Sequence, residues 1–170
     1  MMFARTIALT IATVAAAATL ASAAPTPVPG GANQVKAVSG TIGQTVFNGV
    51  LRVKILELRD ATPADHPETI GASASKKVMV INVLVRNGSH DSFTGGLGYT
   101  LADKDDVSFE IPENGITHAD LNVLQAAAEK QSSMFAVDKD FVPVKLIVTC
   151  LTCPNNSPFK SIRFKIPPAK

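Results

Sequence analysis

The sequence is poor in several residue types, and each shortage narrows what the chain can be. It has no tryptophan, one tyrosine and two cysteines among 170 residues. Two cysteines cannot build a dense disulfide scaffold, but a chain of this length buries a sizeable core without one. The net charge is only +2. Near-neutral charge argues against a nucleic-acid partner, because such proteins usually carry a concentrated basic excess.

The first 23 residues contain no acidic residue and a single basic one. An apolar stretch at residues 7–20 follows the basic start, and residues 21–23 form an A-x-A cleavage site. This order is typical of a secretory signal peptide. Threonines and alanines dilute the stretch, so it is a poor membrane-spanning helix. We expect cleavage between Ala23 and Ala24, no stable membrane anchor afterwards, and a secreted protein in an extracellular or periplasmic space.

The rest of the chain divides into a linker and one domain. Residues 24–38 contain alternating prolines followed by Gly30 and Gly31, a composition that favours extended, flexible chain. Residues 39–170 have the length of one ordinary domain. All eleven glycines and all eleven prolines lie beyond residue 23, which favours a turn-rich β protein over a helical bundle.

The apolar pattern of this domain predicts strands. Asn48 and Gly49 form a hairpin-turn signal. Residues 51–55 alternate apolar and basic side chains, and the alternation slips by one at residues 56–58, which indicates a β-bulge. Residues 77–86 are apolar on both faces and rich in β-branched side chains, so they predict a central strand.

Shorter apolar segments complete the predicted fold. Residues 95–98 contain three glycines and are interpreted as a loose segment, and one short helix is expected over residues 118–130, where Leu121, Leu124 and Ala128 keep helical spacing. The further predicted strands are residues 99–101, 107–111, 133–137, 144–149 and 161–166. Seven or eight short strands without alternating helices predict an all-β antiparallel sandwich.

The order of these segments resembles a family of exported prokaryotic domains of unknown function with an immunoglobulin-like sandwich fold, similar to the mycobacterial immunoprotective extracellular antigen. The matching segments are GTIGQTV at 40–46, GVLRVKI at 49–55, VMVINVLVRNGS at 78–89, LADKDD at 101–106, MFAV at 134–137 and PVKL at 143–146. The resemblance implies an immunoglobulin-like fold and supplies no catalytic residues. Two features depart from the family: the lipoprotein cysteine of many members is missing, and residues 126–128 replace a Pro-Gly turn.

Cys150 and Cys153 are the only cysteines. In an oxidising exported setting we expect them to form a structural disulfide. Two alternatives are open: a redox-active pair, and metal binding. The redox interpretation is weakened because the pair follows a predicted strand and precedes Pro154, so the helix that would lower the pKa of the first thiol is missing.

Oxygen and nitrogen ligands for metals are present but scattered. Asp103, Asp105 and Asp106, together with Glu110, could supply oxygen ligands to Ca²⁺. The segment lacks the glycine at the sixth position and the glutamate at the twelfth position of an EF-hand, so a solvated hairpin tip is expected instead. The three histidines lie in separate predicted loops: His66, His90 and His118. Loops at one end of a sandwich can converge, so a copper or zinc site that combines the histidines with the cysteines stays open as an alternative.

The charge of the domain is unevenly distributed along the chain. Residues 103–140 contain nine acids and three lysines, whereas residues 141–170 contain five basic residues and no acid. This asymmetry predicts complementary neighbouring strands or, alternatively, a basic edge strand with Lys165 and Lys170 that meets an acidic partner.

The sequence contains none of the common catalytic motifs, neither a nucleophile elbow, a zinc-protease helix, a P-loop nor a dinucleotide fingerprint. We therefore expect no enzyme, no cofactor, and a secreted binding or surface-interaction module whose partner is a protein or a glycan. The alternative function is a periplasmic metal-handling protein that uses the cysteine pair and the loop histidines.

Overall fold

The structure is a computed structural model that describes residues 37–112, 121–153 and 157–168. Within these ranges the chain forms ten strands. In chain order they are β1 (Val38–Thr41), β2 (Thr45–Phe47), β3 (Leu51–Asp60), β4 (Lys76–Asn87), β5 (Phe93–Ala102), β6 (Ser108–Glu110), β7 (Leu121–Val123), β8 (Ala128–Asp138), β9 (Lys145–Thr152) and β10 (Ile162–Lys165). Two 3-10 turns, Pro63–Asp65 and Pro67–Ile70, lie in the exposed connection between β3 and β4.

The strands form two sheets. One has the order β2-β3-β4-β8, and the other has the order β1-β10-β9-β5-β6, with β7 also paired to β5. All pairings are antiparallel except β1 with β10. This architecture is an all-β immunoglobulin-like sandwich, so the predicted fold class is confirmed.

The core lies between the two inner faces because each strand alternates buried and exposed side chains. In the four-stranded sheet, Val53 of β3 and Val83 of β4 are completely buried, while Arg52 and Arg86 on the other face are exposed. Tyr99 of β5 is also completely buried, and its hydroxyl donates a hydrogen bond to Gln131 Oε1 of β8 at 3.3 Å. Burial raises the pKa of Tyr99, so this link between the sheets stays uncharged.

The local signals of the first hairpin are confirmed. The Asn48 side-chain oxygen accepts hydrogen bonds from the N–H groups of Val50 and Leu51, and Gly49 takes the left-handed φ of 105° that the turn requires. The register of β3 against β4 shifts between Ile55 and Glu57, which is the predicted bulge. The predicted central strand is also confirmed, since β4 pairs with β3 on one side and β8 on the other.

The prediction of a short helix over residues 118–130 is wrong for residues 121–130, the part of this range that the structure describes. Residues 121–123 form β7 and β8 begins at Ala128. Leu121 and Val123 are buried two positions apart, whereas Leu124 is 61% exposed. The helical spacing of Leu121, Leu124 and Ala128 was coincidental, because the buried residues follow the period of a strand.

Two further expectations differ from the structure. The three glycines at residues 95–98 lie inside β5, in the middle of a sheet, and not in a loose segment. The chain has ten strands in its described part instead of seven or eight, because β1 and β7 are three or four residues long and carry little apolar pattern. The parallel pairing of β1 also places a strand where the linker was expected to end.

The predicted signal peptide, its cleavage site at Ala23 and Ala24, and residues 24–36 of the predicted linker lie outside the described residues. Across the ranges that the structure describes, no helix has the length and apolar character needed to cross a membrane.

Candidate functional site

A cleft of about 940 Å³ opens at one end of the sandwich. It lies where β3 and β10 end and where β4 and β9 begin, so both sheets contribute to it. Its walls combine apolar side chains with a rim of basic residues. This volume lies within the range of pockets that bind small organic ligands.

The floor of the cleft is the edge of the hydrophobic core. Met79 of β4 and Phe164 of β10 line it, and both also belong to the buried core cluster. Leu58 and Ile166 pack against that cluster from the side and are half-buried. Because the core holds these side chains in place, the floor is preformed, and an apolar ligand would extend the core when it binds.

The walls offer few backbone hydrogen-bond donors. Pro143, Pro167 and Pro168 line the cleft and have no N–H group. The N–H of Val144 donates to Ala102 O at 2.8 Å, and the N–H of Ile166 donates to Val144 O at 2.9 Å. These donors are used within the fold, so polar recognition of a ligand depends on the side chains at the rim.

The rim is basic. Its described lining contains one acid, Asp60, and five cations: Arg59, Lys77, Lys145, Arg163 and Lys165. Three cations are paired with carboxylates: Arg59 with Glu57 and Asp65, Lys77 with Asp60, and Lys145 with Asp106. Arg163 and Lys165 have no ion pair within the described part of the chain, so their charges remain available to a ligand.

The guanidinium group of Arg59 forms its hydrogen bonds within the fold. Its two terminal nitrogens donate to the two carboxylate oxygens of Asp65 at 2.7 and 3.0 Å, and its Nε donates to Glu57 at 2.5 Å. The guanidinium holds the pKa of Asp65 well below its usual range, with help from the N–H and hydroxyl of Thr62. Arg59 and the hydrogen bond from Asn82 likewise lower the pKa of Glu57.

Lys165 lies directly opposite Lys145 in the pairing of β10 with β9. Among the described residues, Asp106 forms its ion pair with Lys145 and none pairs with Lys165, so one positive charge of this pair is left in excess. The predicted basic edge strand is wrong in its position, because β1 pairs with the outer side of β10. Lys165 nevertheless lies at the rim, and Lys170 is outside the described residues.

The cysteine pair lies at the other end of β9. Cys150 is in the strand, Cys153 follows it, and their Cα atoms are 5.9 Å apart with the sulfurs at disulfide distance. Leu97 of β5 pairs with Cys150, and Cys153 is partly buried against the core. This placement at a strand end differs from a helix N-terminus, which is one of the settings that lower the pKa of a reactive thiol.

The structure places two of the histidines that were predicted as candidate metal ligands far apart. His66 lies in the connection before β4, where it contacts Glu68 at 3.1 Å, and His90 follows the end of β4. A strand of this length spans roughly 35 Å, so these two histidines are at opposite ends of the sandwich. His118 lies outside the described residues.

The carboxylates of the acidic turn at residues 103–106 form hydrogen bonds and ion pairs within the fold. Asp103 Oδ1 accepts from the N–H groups of Asp105 and Val107, both at 2.9 Å, and closes the connection between β5 and β6. Asp105 pairs with Lys104 and Asp106 with Lys145. In the described part of the chain, no group of three His, Cys, Asp or Glu side chains is arranged to hold a metal ion.

Sequence reasoning missed the cleft as a site. Its apolar residues come from four separated segments, and each of them is also a normal core or strand-end residue. The one usable signal was the excess of basic residues after residue 140, because it includes both unpaired cations of the rim.

No protein-family model matches the chain, and no curated protein matches it. Among solved structures the chain is similar to an uncharacterized beta-sandwich protein from Clostridium difficile 630. The two share 10% sequence identity with a TM-score of 0.45, and the similarity covers 76% of this chain and 94% of the other.

Proposed function

We propose that the chain is a secreted, non-enzymatic binding module that takes an amphiphilic anion in its end cleft. The ligand class is a single alkyl or acyl chain that ends in a carboxylate or phosphate group. The observation that carries this proposal is the combination of an apolar floor with two cations at the same rim, Arg163 and Lys165, that have no ion pair among the described residues.

The apolar part of the ligand is inferred from the floor. Val142 is exposed and Leu58 and Ile166 are half-buried, so these side chains present carbon surface to the cleft, while Met79 and Phe164 line it but are almost completely buried. Each buried methylene group stabilises a complex by about 0.8 kcal/mol, so affinity should rise about fourfold for each carbon added until the floor is covered. A neutral glycan fits this cleft poorly, because few polar groups line its interior to satisfy sugar hydroxyls.

The anionic part is inferred from the rim. Lys77 and Lys145 are balanced by Asp60 and Asp106, whereas Arg163 and Lys165 are unbalanced within the described residues. An anionic head group placed between them would form charge-assisted hydrogen bonds while its chain lies on the floor. A cationic head group would be repelled, which makes the sign of the charge a selective feature.

A non-enzymatic role is supported by the composition of the cleft. Its described lining includes no histidine or cysteine, and its one carboxylate, Asp60, is paired with Lys77 at 3.4 Å. These residues offer no free general base. The resemblance to exported immunoglobulin-like domains and the sequence of the first 23 residues support secretion.

The experiment is calorimetric titration of the purified protein with sodium decanoate and with decyltrimethylammonium, which has the opposite charge. We expect the carboxylate to bind and the ammonium to bind at least tenfold more weakly. The double variant Arg163→Ser/Lys165→Ser should lose about tenfold in decanoate affinity, since each exposed ion pair contributes up to about 1 kcal/mol.

The matched control is Arg52→Ser/Lys54→Ser, which removes the same net charge from the outer face of the four-stranded sheet, away from the cleft lining. Its decanoate affinity should stay within twofold of the unmodified protein. Equal binding of the two amphiphiles, or equal losses in the two double variants, would contradict the proposal.

A further inference from the structure

A second basic surface lies on the outer face of the four-stranded sheet, away from the end cleft. We call it the cationic face; it consists of Arg52 and Lys54 of β3, Arg86 of β4 and Lys130 of β8. Arg52, Arg86 and Lys130 are exposed and Lys54 is half-buried, while their sequence neighbours on the opposite face point into the core. None of the four contributes to the lining of the end cleft.

The strand register places these charges next to one another. Arg52 lies directly opposite Arg86, and Leu84 lies between Lys54 and Lys130 in the next row. Neighbouring strands are about 5 Å apart and alternate residues along a strand about 7 Å apart. Like charges directly opposite each other destabilise a sheet. The fold therefore maintains an arrangement that costs it stability.

Acidic side chains of the described residues do not relieve this repulsion. In the described part of the chain, no ion pair involves any residue of the cationic face. Glu57 is the acid on the same side of β3, and its oxygens accept hydrogen bonds from Arg59 at 2.5 Å and Asn82 at 2.8 Å. The four charges are thus available to an external anion.

The orientation of Arg52 is fixed by its surroundings. Its guanidinium lies 5.0 Å from the centre of the Phe47 ring, a cation–π contact. A Cβ atom added to Gly88 would lie 2.5 Å from Arg52 Nη1, so the absence of a side chain there leaves room for the guanidinium. An arginine held in this way loses less conformational freedom when it binds an anion than a free one does.

We propose that the cationic face binds a linear anionic polysaccharide, one that carries carboxylate or sulfate groups along its chain. The face is part of a sheet and presents its charges in rows, which suits an extended polymer with repeated charges. Ser132 of β8 and Thr45 of β2 are exposed beside it and can hydrogen-bond sugar hydroxyls. A bilayer is the less favoured partner, because the described residues of these strands expose only two large apolar side chains, Phe47 and Leu56. Arg52 already lies over the Phe47 ring.

The test measures binding of the full chain to dextran sulfate, polygalacturonate and neutral dextran at two salt concentrations. We expect both polyanions to bind, neutral dextran not to bind, and the affinity to fall at least tenfold between 0.05 and about 0.5 M salt as the charges are screened. Arg52→Ser/Lys54→Ser should lose at least tenfold. The matched variant Arg163→Ser/Lys165→Ser should stay within threefold, and this comparison separates the cationic face from the end cleft.

A single variant distinguishes a binding role from a structural one. Arg86→Gln should weaken polyanion binding at least threefold and leave the melting temperature unchanged or raise it, because it removes the repulsion with Arg52. A lower melting temperature with unchanged binding would overturn the inference. It would also be overturned by equal losses in the two double variants, or by binding to phosphatidylglycerol vesicles or duplex DNA without binding to either polysaccharide.

Discussion

Arg59 and Asp65 form a two-pronged ion pair, with nitrogen–oxygen distances of 2.7 and 3.0 Å, that joins the end of β3 to the first 3-10 turn of the following connection. The pair lies beside the end cleft, which Arg59 lines. Because Thr62 donates two further hydrogen bonds to the same carboxylate, Asp65 is the residue that organises this connection.

The ion pair predicts an acid-sensitive connection. The pKa of Asp65 is lower in the folded protein than in the unfolded chain, so its stabilising contribution is complete above the unfolded value, near 4. That contribution decreases as the pH falls from about 4 toward the lower folded value. Intrinsic amide exchange is much slower at pH 3 than at pH 7, so the measured quantity is the protection factor, which corrects for this. We expect the protection factors of residues 61–75 to fall at pH 3 relative to pH 7 before those of the sheets fall.

Asp65→Asn should reproduce this loosening at pH 7, because the amide cannot form the two-pronged ion pair. Glu68→Gln is the matched control, since Glu68 lies in the same connection and the only described partner of its carboxylate is the exposed His66. Equal protection of residues 61–75 in the Asp65 variant and the unmodified protein would contradict the assignment.

The central position of β4 predicts the effect of a buried charge. Val83 is completely buried between both neighbours of β4, so Val83→Asp places a carboxylate in the core without a partner. The cost of several kcal/mol approaches the whole stability of an ordinary domain, and we expect no folded protein by circular dichroism. Thr94→Asp, at an exposed position of β5, should fold. A soluble Val83→Asp variant with unchanged melting would refute the strand placement.

Gly95 is required for close contact between β5 and β9. A Cβ atom there would lie 2.1 Å from the carbonyl oxygen of Thr152, so Gly95→Ala should lower the free energy of unfolding by about 3 kcal/mol. A Cβ atom added to Gly71 would meet no atom within 4 Å, so the cost of Gly71→Ala comes only from the left-handed φ of 62°. Its cost should be about 1 kcal/mol. Chemical denaturation measures the free energy of unfolding of both variants. A larger loss for Gly71→Ala than for Gly95→Ala would contradict the prediction.

The cysteine pair is predicted to be bonded in the protein from its native compartment. The closed loop is short, so replacing both Cys150 and Cys153 by serine should lower the free energy of unfolding by no more than about 2 kcal/mol and should preserve the fold. Mass spectrometry of the non-reduced protein after alkylation measures the bond directly. Two alkylated thiols, or insulin-reduction activity, would contradict a structural disulfide.

The sequence allowed the fold to be predicted wherever one local signal had a single interpretation. Asn48 and Gly49 defined a turn, the slip after Ile55 defined a bulge, and the apolar run around Val83 defined a central strand. The signal failed where tertiary contacts decide the outcome. Leu121 and Val123 form a strand because β5 offers them pairing partners, and no local pattern contains that information.

The candidate site was less predictable than the fold. Leu58, Met79 and Ile166 lie far apart in sequence, and only the pairing order of the sheets brings their strand ends to one cleft. The rows of the cationic face likewise depend on the register of β3 against β4. Composition indicated an excess of basic residues after residue 140, but only the structure distinguishes paired cations from unpaired ones.

The most direct test of the end cleft as a binding site uses the methyl groups of two methionines. Met79 lines the cleft, whereas Met134 lies on the outer face of the four-stranded sheet. The protein is labelled with carbon-13 at the methionine methyls, and the signals are assigned with the variants Met79→Leu and Met134→Leu. Titration with decanoate should shift the Met79 signal saturably. The alkyl chain of decanoate should also give transferred cross-peaks to the Met79 methyl. The Met134 signal should not move. A saturable shift at Met134 with an unchanged Met79 signal, or no saturable shift at either methionine, would contradict the account.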